Sequence, residues 1–124
     1  MTEAMRAMFN FFSQFGVPAY PENGVPSDAV LPYITYSPVA TPWDEDVITQ
    51  ARVWDRSTSY TRVCGIVDQI SDRIGGGTAI PAGSGYLYLY KGNPWSQMQP
   101  IENNTGTDAT VKVCYLNIGV STIM

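Results

Sequence analysis

The chain contains no histidine, and only 15% of its 124 residues are charged. Histidine is the commonest general base near neutral pH and a frequent ligand of zinc and haem iron, so the usual form of such sites is excluded. The two cysteines do not form a CxxC pair, and the glycine runs lack the Walker and Rossmann spacings. The sequence therefore predicts a protein that is not an enzyme and has no catalytic, cofactor or metal site.

The two cysteines, Cys64 and Cys114, both lie in segments with apolar periodicity. Cysteine in such a segment behaves as a small buried hydrophobe, and disulfides are rare in cytoplasmic proteins, the class expected here. We therefore expect two buried, reduced thiols. Cys64 is expected on the apolar face of a helix, where its side chain would be inert.

Long apolar runs and clusters of basic residues are also missing. The run AMFNFF is short, is interrupted by Asn10 and lacks a basic leader segment, so neither a membrane span nor a secretory signal is expected. The seven basic residues are scattered singly, and the net charge is −4. Without a basic stripe to neutralise phosphates, tight nucleic-acid binding is not expected. This charge distribution is compatible with contact to DNA that slides past the protein without being bound.

One cluster of carboxylates is present, in the segment WDED that contains Asp44, Glu45 and Asp46. Three adjacent acids cannot all point at one ion, and the spacing of an EF-hand is absent. We expect these three acids to lie in a solvated loop, and in an assembly they could face an arginine of a neighbouring molecule. The rival hypothesis places them at the site of a stand-alone binding module or small hydrolase that binds Mg²⁺ or Ca²⁺.

The apolar periodicity predicts six main elements. A helix over residues 2–16 carries an apolar stripe, a strand over 47–54 runs directly into a helix over 60–74, and three further strands cover 33–37, 85–90 and 109–123. The predicted stripe of the first helix consists of Met5, Met8, Phe9, Phe12 and Phe15. This order predicts one α+β domain over 1–124, with a mostly antiparallel sheet of four to five strands and two helices packed on one face.

The surface is expected to be poor in charge and rich in aromatic side chains. Tyr86, Tyr88 and Tyr90 alternate with leucines and form one face of a strand, while Trp43 and Trp95 fall in proline-rich and glycine-rich segments predicted to be loops. Tyrosine and tryptophan are enriched at protein interfaces, so we expect these residues to contact partners. The alternative is that the two tryptophans fold back over the core of their own chain.

The layout resembles the tail-terminator (tail-completion) proteins of long, non-contractile-tailed bacteriophages. The resemblance covers about residues 3–120 and is carried by LPYITYSP, by VITQARVWDRSTSY and by the following helix VCGIVDQISDRI. It implies a hexameric ring in the virion tail or neck that caps the tail tube, ends tube growth and joins the tail to the head connector, while DNA passes through the lumen. Other neck or head-closure ring proteins have a similar size and remain an alternative.

The resemblance also implies where contacts would lie. The strands 47–54 and 86–90 would face a neighbouring subunit or the lumen, and segments 17–32 and 91–108 would contact the tube protein or the connector. An acidic lumen would repel the phosphates of DNA. The residues implied at the subunit interface or lumen are Trp43, Asp44, Glu45, Asp46, Arg52, Arg56, Tyr86, Tyr88 and Trp95.

Overall fold

The computed structural model describes residues 2–37, 46–57, 59–103 and 106–123, which form two helices and six strands. The elements in chain order are α1 (Thr2–Phe12), β1 (Ala19–Pro21), β2 (Tyr33–Tyr36), β3 (Asp46–Arg56), α2 (Thr61–Ile74), β4 (Thr78–Ala82), β5 (Gly85–Asn103) and β6 (Gly106–Ile123).

The six strands form one mixed sheet in the order β1-β2-β3-β6-β5-β4. All neighbouring strands are antiparallel except β1 and β2, which are parallel. The predicted α+β class and the two helices are confirmed, whereas the predicted number of strands is too low. The two missed strands, β1 and β4, are short edge strands that contain Pro21 and Pro81, and proline on an edge hides the usual strand signal.

Both helices pack on the same face of the sheet. The ring of Phe12 on α1 stacks on Tyr36 of β2 with 5.2 Å between ring centres, and Arg62 on α2 contacts Asp55 of β3. Tyr36 is the cross-strand partner of Ala51, which lies four residues before Asp55 on the same strand. Because side chains alternate between the two faces of a strand, all these contacts lie on one side.

The buried stripe of α1 differs from the predicted one. Met8, Phe12 and Phe15 are buried as expected, but Met5 and Phe9 are 37% and 46% exposed. Ala7 and Phe11 take their place in the core. The prediction was therefore wrong for Met5 and Phe9. Apolar residues flank Met8 and Phe12 on both sides of the helix, and the sequence does not show which flank faces the core.

Helix α2 buries Val63, Ile66, Val67, Ile70 and Ile74. Cys64 was expected among them but is exposed, whereas Cys114 on β6 is buried as expected. The inclusion of Ile66 shifts the centre of the stripe away from Cys64, since each residue turns the helix by about 100°. Both thiols are free, as expected.

Segment 91–108 was expected to be a loop, and this was wrong. Its described residues belong to the long antiparallel hairpin of β5 and β6, whose register shifts between Lys91 and Ser96 and again between Pro100 and Glu102. Pro94 and Pro100 fall at these irregularities, where a missing N–H does not interrupt a regular ladder. Proline, which indicated a loop in the sequence, here accompanies β-bulges.

None of the helices in the described part of the chain has the length and apolar character needed to cross a membrane.

Candidate interaction surface

The sheet face opposite the two helices carries aromatic, amide and arginine side chains, and we call it the open face. It is formed by alternate residues of β3 and by their cross-strand partners on the neighbouring strands. The described residues that define it are Tyr33, Ile48, Gln50, Arg52, Trp54, Arg56, Tyr86, Tyr88, Tyr90, Tyr115 and Asn117. Ile48 and Tyr86 are 60% and 50% exposed, so large side chains on this face meet solvent in the isolated chain.

An aromatic cluster lies at the β1–β2–β3 side of the open face. Tyr33 contacts Tyr20 edge-on at 5.7 Å between ring centres and contacts Trp54, its cross-strand partner, at 6.5 Å. The indole Nε1–H of Trp54 donates a hydrogen bond of 2.9 Å to Oγ1 of the buried Thr35. Because the polar atom of the indole is satisfied, Trp54 holds a fixed orientation and presents apolar surface.

Arg52 lies at the centre of the open face. Its guanidinium is 4.9 Å from the ring centre of Tyr115, and its Nη1 is 3.4 Å from Oε2 of Glu22. Its Nε is buried and has no hydrogen-bond partner among the described residues. The side chain is 31% exposed, so the cation is half-buried but still accessible from this side of the sheet.

An amide pair continues the open face beside Arg52. The side-chain amide of Gln50 donates to Oδ1 of Asn117 at 3.4 Å, and Nδ2 of Asn117 donates to the carbonyl of Pro94 at 2.8 Å. Asn117 thereby fixes the bulged part of β5 to β6. The second hydrogen bond also explains how a proline-containing bulge stays attached to the sheet.

The tyrosine face predicted for β5 is present, since Leu87 and Leu89 are buried and the tyrosines lie on the other side. Tyr88 and Tyr90 contact each other at 6.1 Å between ring centres. The ring of Tyr90 lies over Gly119, its cross-strand partner, so closely that a methyl group at Gly119 would overlap the ring. The hydroxyl of Tyr88 donates to the carbonyl of Gly76 at 3.4 Å.

The other residues predicted at an interface are placed as follows. Trp95 lies in β5, is half-buried, packs against the core and has Nζ of Lys91 5.7 Å from its ring centre, so it folds back over its own chain. Arg56 is exposed at the end of β3, and Asp46 is the first residue of that strand. Trp43, Asp44 and Glu45 lie outside the described residues.

Seven of the eleven residues that define the open face were not named as site residues. Three of them, Tyr33, Tyr115 and Asn117, also lie outside the strands 47–54 and 86–90 that the resemblance implied at a contact. Each is an alternate residue of a strand whose opposite face is apolar, as in YITY and CYLN. That alternation is visible in the sequence, but the pairing of the strands, which places Tyr33 against Trp54 and Tyr115 against Arg52, is not.

On the helix-covered face, Asp55 is a buried acid. It is 1% exposed, its Oδ1 lies 3.4 Å from Nη1 of Arg62, and its Oδ2 has no hydrogen-bond partner among the described residues. The described residues include no group of three or more histidine, cysteine or acidic side chains that could hold a metal ion. Asp55 therefore acts here as the anchor of Arg62 at the start of α2.

A shallow cleft of about 220 Å³ lies between α1 and β4 and is lined in part by Phe11, Gln14, Arg73 and Ile80. Sites that enclose small-molecule ligands are usually larger, at about 300–1,000 Å³. Within the described part of the chain, the open face is a more extensive surface for contacts than this cleft.

No family model matches the chain, and comparisons with curated proteins and with solved structures gave no match.

Proposed function

We propose that the protein is a structural subunit of a bacteriophage virion that forms a ring, with six copies, on the end of the tail tube. The ring ends tube growth and joins the tail to the head connector, and DNA passes through its lumen. The observation that carries this proposal is the two-sided sheet, with helices on one face and an open aromatic face on the other. The resemblance in layout supplies the identity of the assembly.

The composition of the open face supports a role in assembly. Interfaces are enriched in tyrosine, tryptophan and arginine and depleted in lysine and glutamate, and the centre of the open face has this composition around Trp54, Arg52 and Tyr115. Residues of this kind commonly contribute most of the binding energy when a partner removes them from water.

The β5–β6 hairpin supports a second contact, along the axis of the tail. The pairing of β3 with β6 ends at Arg56 and Val111, whereas β5 and β6 remain paired to Asn103 and Gly106. The tip of the hairpin therefore extends past the end of β3. In the proposed ring it contacts the tube protein or the connector, the role expected of segment 91–108.

The charge of the chain is consistent with a channel that DNA passes through. The net charge is −4, and a negative lumen repels phosphates and lets the duplex move without being held. In this proposal Asp44, Glu45 and Asp46 lie at a subunit contact or at the lumen. The protein binds no cofactor, catalyses no reaction and is found in the virion after synthesis in the host cytoplasm.

The test has two measurements. Light scattering of the purified chain, alone and mixed with the tube protein of the same virus, is expected to give a ring mass in the mixture. Electron microscopy of particles made without this chain is expected to show overgrown tails that are not joined to heads. An inert monomer in the mixture, together with tails of normal length, contradicts the proposal.

The same particles separate the alternatives. Loss of a head-closure protein leaves tails of normal length and heads that fail to retain DNA, in contrast to the overgrown tails expected here. Replacing Asp44, Glu45 and Asp46 by Asn, Gln and Asn tests the enzyme alternative. The ring proposal predicts a change in assembly or phage yield, whereas a hydrolase would lose turnover and a metal-dependent increase in melting temperature.

A further inference from the structure

We propose that adjacent copies of the chain associate head to tail, with the outer side of α2 of one copy seated on the open face of the next. This inference rests on the proposed ring and adds the two surfaces that form its lateral contact. The outer side of α2 is called the acidic stripe and consists of Thr61, Cys64, Gly65, Asp68 and Asp72, all exposed.

The acidic stripe points away from the sheet. Its members are three or four residues apart except for the adjacent Cys64 and Gly65, and they lie on the side of α2 opposite the buried stripe that contains Val63, Val67 and Ile70. Neither Asp68 nor Asp72 has an ion-pair partner among the described side chains. Gly65, which has no side chain, allows a partner to approach the middle of the helix closely.

The open face offers the opposite charge. Arg52 has five N–H donors in its guanidinium, and the carboxylate of Glu22 accepts from one nitrogen at 3.4 Å. The guanidinium therefore has capacity for a second carboxylate. Arg56 lies on the same face of β3 but already interacts within its own chain, so the proposed contact depends on Arg52.

The signs of these charges select the arrangement. Two open faces packed against each other would bring Arg52 close to its own copy, and two acidic stripes would bring Asp68 and Asp72 close to theirs. Like charges placed opposite each other at an interface cost several kcal/mol. Only a contact between unlike surfaces pairs opposite charges, and such a heterologous contact closes into a ring when the rotation between copies allows it.

The edges of the sheet favour the same conclusion. Exposed edge strands normally invite strand addition, but β1 contains Pro21, β4 contains Pro81, and the part of β5 beyond β4 contains Pro94 and Pro100. Proline has no N–H to donate and disfavours pairing with an added strand. Contacts through these proline-containing edges are therefore disfavoured, and the faces of the sheet are the more suitable surfaces for contact between copies.

The dimensions of the two surfaces are compatible. Helix α2 has 14 residues, or about 21 Å, and β3 has 11 residues, or about 36 Å. The helix can lie on the open face over its full length. Both surfaces belong to the same chain on opposite sides of the sheet, so one copy cannot satisfy its own charges.

The test uses the native thiol of the acidic stripe. The native thiol is that of Cys64, and Gln50→Cys adds a second exposed thiol on the open face beside Arg52. Cys114 is buried and is not expected to react. Treatment with a short bis-maleimide, applied to the chain mixed with the tube protein under the conditions that give the ring mass, is expected to give a ladder of cross-linked species through Cys64 and the introduced thiol. The matched control is Ser84→Cys, on the exposed turn between β4 and β5, which is expected to give no ladder above that of the unmodified chain.

The double variant Gln50→Cys with Cys64→Ser is expected to lose the ladder. If this double variant instead forms dimers as efficiently as the single variant, the open faces pack against each other and the proposal is wrong. If Gln50→Cys gives no more cross-linking than Ser84→Cys, the proposal is also wrong. In either case a ring seen by light scattering with the tube protein would leave the proposed function standing, whereas absence of the ring would contradict both.

A charge exchange provides an independent measurement. Arg52→Glu alone, and Asp68→Arg with Asp72→Arg, are each expected to weaken self-association at least about tenfold, the scale of a lost interfacial charge pair. An equimolar mixture pairs the open face of each variant with the oppositely charged stripe of the other, so it is expected to restore oligomers in which the two variants alternate. Equal association of all combinations would overturn the proposal.

Discussion

Arg52 and Tyr115 are directly opposite each other on β3 and β6, and the guanidinium carbon lies 4.9 Å from the centre of the tyrosine ring. A cation held over an aromatic ring retains its charge while part of its apolar stem is buried. The central strand thus presents a positive charge in a fixed position on an otherwise aromatic surface.

Replacement of Arg52 by Met is expected to lower the free energy of unfolding by about 0.5–1 kcal/mol, because it removes the cation–π contact with Tyr115 and the partly exposed ion pair with Glu22 but keeps the apolar stem. Urea unfolding followed by fluorescence measures the change. The control is Gln50→Met, an exposed neighbour on the same face, which is expected to change stability by less than about 0.5 kcal/mol. Equal effects of the two replacements would contradict a stabilising role for the contact with Tyr115.

Gly119 is expected to tolerate no side chain. The Gly119→Ala methyl would overlap the ring of Tyr90, and overpacking of this kind costs about 1–3 kcal/mol. The cost should fall in the double variant with Tyr90→Ala, and a double-mutant cycle measures this coupling. The control is Gly65→Ala on the outer side of α2, where no atom lies within 4 Å of the new methyl, and this change should stabilise the helix by about 0.5–1 kcal/mol.

The two phenylalanines Phe9 and Phe12 form a matched pair on α1. Phe12 is fully buried and stacks on Tyr36, so Phe12→Ala is expected to cost about 3–5 kcal/mol. Phe9 is 46% exposed, and Phe9→Ala is expected to cost less than half of that amount. Thermal or urea unfolding of both variants checks the difference. Similar losses would mean that Phe9 also belongs to the core, as its spacing in the sequence predicts.

The thiols are expected to differ in reactivity. Ellman's reagent should label one thiol per folded chain rapidly, because Cys64 is exposed, and should label Cys114 only as the chain opens. Cys64→Ser should abolish the rapid phase, and labelling in denaturant should count both thiols in the unmodified chain. Two rapid phases in the folded protein would contradict the burial of Cys114.

Stability is expected to fall at alkaline pH. Burial raises the pKa of the Cys114 thiol above its ordinary value of 9.0, and burial likewise raises the pKa of the Tyr36 hydroxyl above 10.0. Both groups therefore keep their protons to a higher pH in the folded chain than in the unfolded chain. Their contribution is complete below about pH 9 and is lost as the pH rises through the two raised pKa values.

Chemical denaturation between pH 8 and pH 11 checks this dependence. Tyr36→Phe and Cys114→Ala each remove one of the two titrating groups. In each variant the free energy of unfolding should therefore decrease less steeply with pH above the ordinary pKa of the group that was removed. Gln50→Met, which removes no titrating group, is the control and should leave the slope unchanged. An unchanged slope in both test variants would contradict the burial of these groups.

Local pattern was enough to predict the strand–helix unit at the centre of the chain. Alternation around Ala51 and Val53, followed by helical spacing from Val63 to Ile74, predicted β3 and α2 with small errors at their ends. The alternation of leucine and tyrosine on β5 likewise predicted its two faces. These features depend on neighbours in the sequence, and periodicity reports them directly.

The short edge strands and the long hairpin were not visible in the same way. Pro94 and Pro100 indicate a loop when only the local sequence is considered, but they lie at bulges in a ladder that is held by β6, whose partner residues are distant in sequence. Trp95, expected to contact a partner, packs against its own core for the same reason. A strand held by a remote partner overrides the local preference of a few residues.

The sequence by itself determined the class of the fold, the centre of each helix and the alternation that separates an apolar face from an aromatic one. Only the tertiary structure decided that Cys64 and Phe9 are exposed, that Tyr115 lies next to Arg52, and that neither helix covers their side of the sheet. The physical reason is that periodicity fixes which side chains share a face, whereas strand order and register fix which faces meet.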